Sequence, residues 1–217
     1  MKNTILKKLS LLAFVATGLL SLPASLSGKG DPSSYGEDVA YWDTVLKRGE
    51  KIVSKISIED AAKAVRVSEI VARQYVDLRA IHDGRDAAIE AGGSAKEIRQ
   101  KARLEVFELH YAFLAKLSAE LDQSQVEQVK DGMTYGVVPN TYRRYMMLLP
   151  DLEEEHQRWI YTALVEAREH AMDEGSSEEK HRRFGKYKGR INNYLSALGI
   201  NMKEAERALA EREKAAR

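Results

Sequence analysis

Residues 94–120 read SAKEIRQKARLEVFELHYAFLAKLSAE. Within them Ile98, Ala102, Val106, Leu109, Phe113 and Leu117 recur at steps of 4, 4, 3, 4 and 4. That spacing lays six apolar side chains along one face of an α-helix. Ser94 with Glu97 makes a capping box at its start, and the glycine pair Gly92-Gly93 separates it from what precedes. No stretch of the chain alternates apolar and polar residues for long enough to form a strand.

The same period recurs on both sides. From Glu37 a helix carries Val39, Trp42, Val45 and Leu46. It stops near Ser57, whose hydroxyl caps a second helix with Asp60 reciprocating. That helix runs to about Glu90 with Ala64, Val67, Val71, Tyr75 and Leu78 on one face. After residue 120 a short helix turns Val126 and Val129 inward, and Pro139-Asn140 opens another, Thr141–Leu149, closed by Pro150. Asp151 with Glu154 boxes the next helix, which runs to about Asp173. Ser176 or Ser177 caps a helix that ends at Gly199, and Asn201 with Glu204 caps the last, Met202–Arg217. The expected fold is all-α: a single-domain multi-helix bundle or orthogonal array of about seven helices over 37–217.

Composition narrows the function. The chain has 217 residues, 44% of them apolar, which is enough for a core. It has no cysteine, which excludes structural disulfides, thiolate catalysis and Cys-ligated zinc. A formal charge of +1 argues against a nucleic-acid coat. Residues 1–27 have the plan of a secretory signal peptide: Lys2, Lys7 and Lys8, the apolar run LSLLAFVATGLLSL over 9–22, then Pro23 and small residues. Cleavage near Ser27 removes three lysines and no acid, leaving 190 residues of charge −2. Residues 28–36, GKGDPSSYG, are then a flexible lead-in. The expected location is the periplasm or the exterior, with no membrane contact after cleavage.

Catalytic signatures are missing: there is no Gly-rich phosphate loop, no G-x-S-x-G elbow and no HExxH. The histidines are His82, His110, His156, His170 and His181. His156 and His170 share a helix but sit about 21 Å apart at ~1.5 Å per residue, so they do not chelate one ion. The acids Glu153–Glu155 suit a helix first turn. No metal and no cofactor is expected.

Two stretches interrupt these ordinary patterns. The first is SSEEKHRRFGKYKGRINNYLSALG, residues 176–199. Phe184, Ile191, Leu195 and Leu198 form its apolar stripe. Arg183, Lys186, Arg190 and Asn193 share another face, beside His181, Tyr187 and Tyr194. Gly185 and Gly189 lie inside the helix, each costing about 1 kcal/mol relative to alanine. They serve either tight crossing of a neighbouring helix or access for a ligand. Cations, amides and tyrosines together suit anionic or hydroxyl-rich ligands such as acidic sugars. The second stretch is KDGMTYGVVPNT, residues 130–141, a break that offers Asp131, Thr134, Tyr135 and Asn140. It is either a tight connection or one wall of a groove.

VEQVKDGMTYGVVPNTYRRY (126–145), LVEAREHAMDEGSSEEKHRRFGKYKGRINNYLSALG (164–199) and IVARQYVDLRAIHDGRD (70–86) resemble a secreted DUF3826-type family. The resemblance implies a signal peptide, a helical fold and a gene setting beside enzymes that degrade plant cell-wall polysaccharides. It implies no catalytic residue. Asp122 stands where a threonine cap is expected, and it caps equally well. LDQSQ, residues 121–125, is also similar to the L-T-x-x-Q element of periplasmic stress chaperones of the Spy kind.

Three functions follow as expectations. The leading one is an accessory protein of polysaccharide utilisation that binds a plant cell-wall oligosaccharide or a polysaccharide-degrading enzyme. The second is a carbohydrate-active hydrolase or lyase, with Tyr135, His181, Lys186 and Arg190 supplying acid, base and cation. The third is a periplasmic holdase chaperone.

Overall fold

The computed structural model describes residues 39–215. The expected signal peptide and lead-in fall outside the described residues. Eight helices and no strand are found among them: α1 (Val39–Val53), α2 (Ala61–Glu90), α3 (Ala95–Glu120), α4 (Gln123–Met133), α5 (Val137–Leu148), α6 (Glu154–Ala171), α7 (Ser177–Ala197) and α8 (Met202–Ala215). The all-α single-domain fold is therefore as the periodicity predicts, with eight helices in place of about seven.

The helices pack as two groups. In the first, α1 to α4 enclose Val45, Val67, Val71, Phe113, Leu117, Val129 and Met133. In the second, α5 to α7 enclose Ile160, Leu164, Phe184, Ile191 and Leu195. Helix α8 closes the second group by packing on α5 and α7, and Leu209 is its buried residue. Met172, just beyond α6, inserts into the first core, so α6 belongs to one group and ends in the other. Burying each large apolar side chain contributes about 1.5–3 kcal/mol.

Polar groups join the two cores. Arg168 on α6 is 1% exposed, and its guanidinium meets three carboxylates. Nη1 donates to Asp131 at 2.8 Å, Nη2 donates to Glu169 at 3.0 Å, and Nη2 also donates to Glu127. Burial works against the charge, yet the hydrogen bonds and charges of Asp131 and Glu127 outweigh it and hold Arg168 well above its ordinary range. Lys130 completes the cluster on Glu169 at 3.0 Å and on Glu127 at 2.6 Å. A second buried cation, Lys180 at the start of α7, donates to the carbonyls of Met133 at 3.2 Å and Met172 at 3.1 Å. Burial brings this amine down to about 8.

Several local expectations change. Asp60, not Ser57, caps α2, accepting from the amides of Ala62 and Lys63. Ser57 instead offers its carbonyl to Gln125 at 2.8 Å. The Asp122–Gln125 pair forms a full capping box, so LDQSQ has a structural role at the start of α4. Ser94 stands at the N-cap of α3 without a side-chain cap bond. Glu153 rather than Asp151 flanks α6. Helix α5 begins at Val137, earlier than Pro139-Asn140 suggests, because Gly136 adopts φ 65° and reverses the chain immediately before it. Ser176 and Asn201 cap as expected.

Gly185 and Gly189 are not sealed under another helix. A Cβ at either position would meet nothing within 4 Å. Gly185→Ala and Gly189→Ala are each expected to stabilise the protein, by up to about 1 kcal/mol, in chemical denaturation. Arg168→Ala, which strands Glu127 and Asp131 without their buried partner, is expected to cost about 3–5 kcal/mol by the same measurement.

Candidate functional site

Helices α3 and α6 scarcely touch, and the space between them is a cleft of about 660 Å³. Four elements line it. Helix α2 contributes His82 and Arg85. Helix α3 contributes Arg99, Arg103, Phe107, His110 and Tyr111. The end of α6 and its following turn contribute Glu169, His170, Asp173 and Glu174, and α7 contributes Arg183. The α3 stripe explains the opening. Its lower half, Phe113 and Leu117, is buried in the first core, whereas Val106 is only half-buried and faces the cleft.

The floor is a histidine–carboxylate pair. His110 Nδ1 lies 2.8 Å from Asp173 Oδ2, and His110 Nε2 lies 3.9 Å from Glu169 Oε2. The hydrogen bond to Asp173 raises the imidazole pKa above its ordinary 6.5, with burial opposing and the charges of Asp173 and Glu169 assisting. The other oxygen, Asp173 Oδ1, is buried and has no hydrogen-bond partner among the described residues. His82 holds the backbone here. Arg85 Nη1 sits 3.1 Å from His82 Nδ1, and a guanidinium only donates, so Nδ1 accepts. His82 Nε2 then carries the hydrogen and donates to the Asp173 carbonyl at 2.8 Å. The ring passes so close to Gly175 that a Cβ there would lie 3.0 Å from it.

The cations differ in how far they are engaged. Arg183 pairs with Glu174, its Nε at 2.9 Å. Arg85 holds Asp86 with two hydrogen bonds, at 2.7 and 2.9 Å. Arg99 and Arg103 are exposed on α3, and neither makes an ion pair or hydrogen bond among the described residues. Phe107 and Tyr111 stand beside them, 59% and 57% exposed, as an edge-to-face pair with ring centroids 4.8 Å apart.

The residues singled out from sequence occupy other places, with Arg183 the link to the cleft. Asp131 belongs to the Arg168 cluster, and Thr134 is buried with its hydroxyl donating to the Lys130 carbonyl. Tyr135 has φ 61° and stacks on His181 at 5.3 Å, so the two stretches meet at that contact. Asn140 and Lys186 are exposed. Tyr187 is buried and donates to Glu166 at 2.7 Å, with Arg190 4.9 Å over its ring and 3.6 Å from Glu166. Asn193 lines a shallow recess by 199–203. Tyr194 stacks on Trp159 at 3.9 Å, with its hydroxyl 2.6 Å from His156 Nδ1. Residues 131–141 and 183–194 thus do not line one cleft.

A second groove of about 600 Å³ lies between residues 148–156 and α8. Leucine, isoleucine and alanine dominate it, and its arginine, Arg212, donates to the Met147 carbonyl at 2.8 Å. Nearby, Glu153, Glu155 and His156 gather ligand atoms within 4.8 Å of one another. Acids of a first helical turn cluster in this way to meet the helix dipole. The α2–α3–α6 cleft combines exposed cations, aromatic faces and a perturbed histidine, which is the pattern of a ligand site.

No helix among the described residues is long and apolar enough to cross a membrane. The family model for a protein of unknown function, DUF3826, matches residues 43–215. The chain belongs to that family. No curated protein matches it.

The His110–Asp173 pair has a pH signature. Because the folded pKa of His110 is raised, its stabilising contribution is full below about 6.5 and disappears as pH rises through the folded value. The unfolding free-energy gap between the native protein and His110→Gln should be larger at about pH 6 than at about pH 9, as read by urea denaturation.

Proposed function

We propose that the protein is an exported accessory component of polysaccharide utilisation, and that it binds an acidic glycan in the α2–α3–α6 cleft. The observation that carries this reading is that Arg99 and Arg103, exposed and with no hydrogen bond or ion pair among the described residues, line one cleft with the exposed Phe107–Tyr111 pair. Guanidinium groups match carboxylates in charge and in fork geometry. Aromatic faces attract the C–H faces of pyranose rings through the ring quadrupole. Uronate residues present both features at once. A cleft of about 660 Å³ lies within the usual range for small-ligand sites. Export rests on the N-terminal sequence, and polysaccharide utilisation rests on the family resemblance.

This reading moves the ligand from the basic face of α7 to the cleft. On that face Arg190 and Tyr187 are already occupied with Glu166. The test is thermal unfolding against neutral and acidic plant oligosaccharides. Acidic members should raise the midpoint, by about 2.7 kcal/mol of stabilisation at a hundredfold excess over Kd. The shift should weaken with added salt. Arg99→Ala/Arg103→Ala should lower affinity at least about tenfold, since each charge-assisted hydrogen bond contributes roughly 1.5–3 kcal/mol. Lys186→Ala/Arg190→Ala should leave binding intact. The opposite pattern would return the site to α7.

A further inference from the structure

The geometry points to a catalytic role for this cleft: we infer that His110 is its general base, with Asp173 as positioning residue, and that the protein cleaves 4-linked uronate polymers by elimination. The inference rests on the acidic-glycan reading of the same site.

Three features of the cleft lead there. Asp173 Oδ2 accepts from His110 Nδ1 at 2.8 Å, which fixes the ring and turns Nε2 away from that bond. A carboxylate behind one ring nitrogen stabilises the imidazolium formed when the other nitrogen takes a proton. With Asp173 Oδ1 buried and lacking a donor among the described residues, the carboxylate's hydrogen bonding falls on His110. The second feature is the state of the acids. Glu169 is held by Lys130 and Arg168, Asp173 by His110, and Glu174 by Arg183. Hydrolysis of a glycosidic bond uses two carboxyl groups, one protonated and one free. Glu169 and Glu174 are engaged with cations and Asp173 with the His110 ring, so the cleft acids do not fit that scheme. The third feature is Arg103, an exposed guanidinium with no ion pair or hydrogen bond among the described residues, two turns before His110 on α3 and about 10 Å from it along the axis. Elimination needs cations of this kind, because neutralising the uronate carboxylate acidifies the neighbouring C–H and stabilises the enolate-like charge that develops.

The step balances without an oxidant, and solvent water only carries the proton. His110 Nε2 takes the proton from the ring carbon that bears the carboxylate. The freed electron pair forms a double bond to the adjacent carbon while that carbon's bond to the glycosidic oxygen breaks. In a galacturonate ring that oxygen lies on the face opposite the hydrogen removed, so it takes its proton from solvent water, and the imidazolium releases its own proton to solvent. One new chain end carries a conjugated double bond, and the other carries a free anomeric hydroxyl.

His110 must be neutral to begin. Glu169 and Asp173 of the α6 segment raise its pKa, and Lys130 of α4 opposes them. His82 of α2, Arg183 of α7, and Arg103 and Tyr111 of α3 border the same cleft. Turnover should therefore climb as pH rises through a value above 6.5 and then level off.

The test is the ultraviolet absorbance of the conjugated double bond, released by the purified protein from sodium polygalacturonate, with binding of the same polymer measured in parallel. The native protein should release it. His110→Gln should bind as before and lose about a hundredfold or more in rate. Asp173→Asn, which removes the charge that favours imidazolium, should move the rising limb to lower pH, whereas a purely structural role would lower the rate and leave the limb in place. Polymer that binds without releasing absorbance overturns the catalytic inference and spares the binding proposal. An unaltered rate in folded His110→Gln, or an unmoved limb in Asp173→Asn, also overturns it. Polymer that fails to bind removes both. The native-protein assay decides turnover by itself if His110→Gln does not fold.

Discussion

Everything in the cleft depends on a guanidinium buried between two hydrophobic cores. Arg168 takes its charge out of water, and three carboxylates compensate it. Such a cluster adds little net stability over well-packed apolar side chains, but it tolerates only one arrangement. A greasy seam between α4 and α6 would permit sliding and rotation. A fork of donors on Asp131, Glu127 and Glu169 does not. The rotation of α6 is set there, and with it the direction of every residue that follows.

The consequences run one turn further along the chain. Glu169 is the neighbour of Arg168 and reaches towards both Lys130 and His110. Met172 plugs the first core, and Asp173 beside it meets His110. Three contacts then fix the turn into α7: His82 on the Asp173 carbonyl, Lys180 on the Met172 carbonyl, and Arg183 on Glu174. A site built on packed helix ends and held this tightly is preorganised, and that suits either recognition or proton transfer. The two proposals share one set of atoms. They differ in whether His110 Nε2 only lies near the ligand or takes a proton from it.

The sequence signals that mattered for the site were individually weak. His82 beside Asp83 is an ordinary pair inside α2. His110 lies between the apolar stripe of α3 and its exposed face, and local pattern does not mark it. What gives it significance is Asp173, 63 residues away in the chain. The basic-aromatic stretch of α7 stands out in sequence because its residues are adjacent. In the fold Tyr187 and Arg190 turn to Glu166, and Arg183 turns to Glu174. Local density of chemistry drew notice to α7, whereas the cleft gathers sparse residues from four elements.

Sequence alone determined the helical fold, most helix limits, part of each inward face, and the break around Gly132–Gly136, whereas Val39 and Leu198, read as inward, are exposed. These follow from short-range physics: a 3.6-residue period, end-capping side chains, and glycine or proline where a helix stops. The tertiary structure decided which helices meet, that Arg168 is buried, and that Arg99 and Arg103 line the same cleft as His110 and Asp173. Pairings of this kind depend on long-range packing and on desolvation, which give a charge its partner or deny it one. No periodicity along the chain encodes them, so the site became legible only when α3 and α6 stood across from each other.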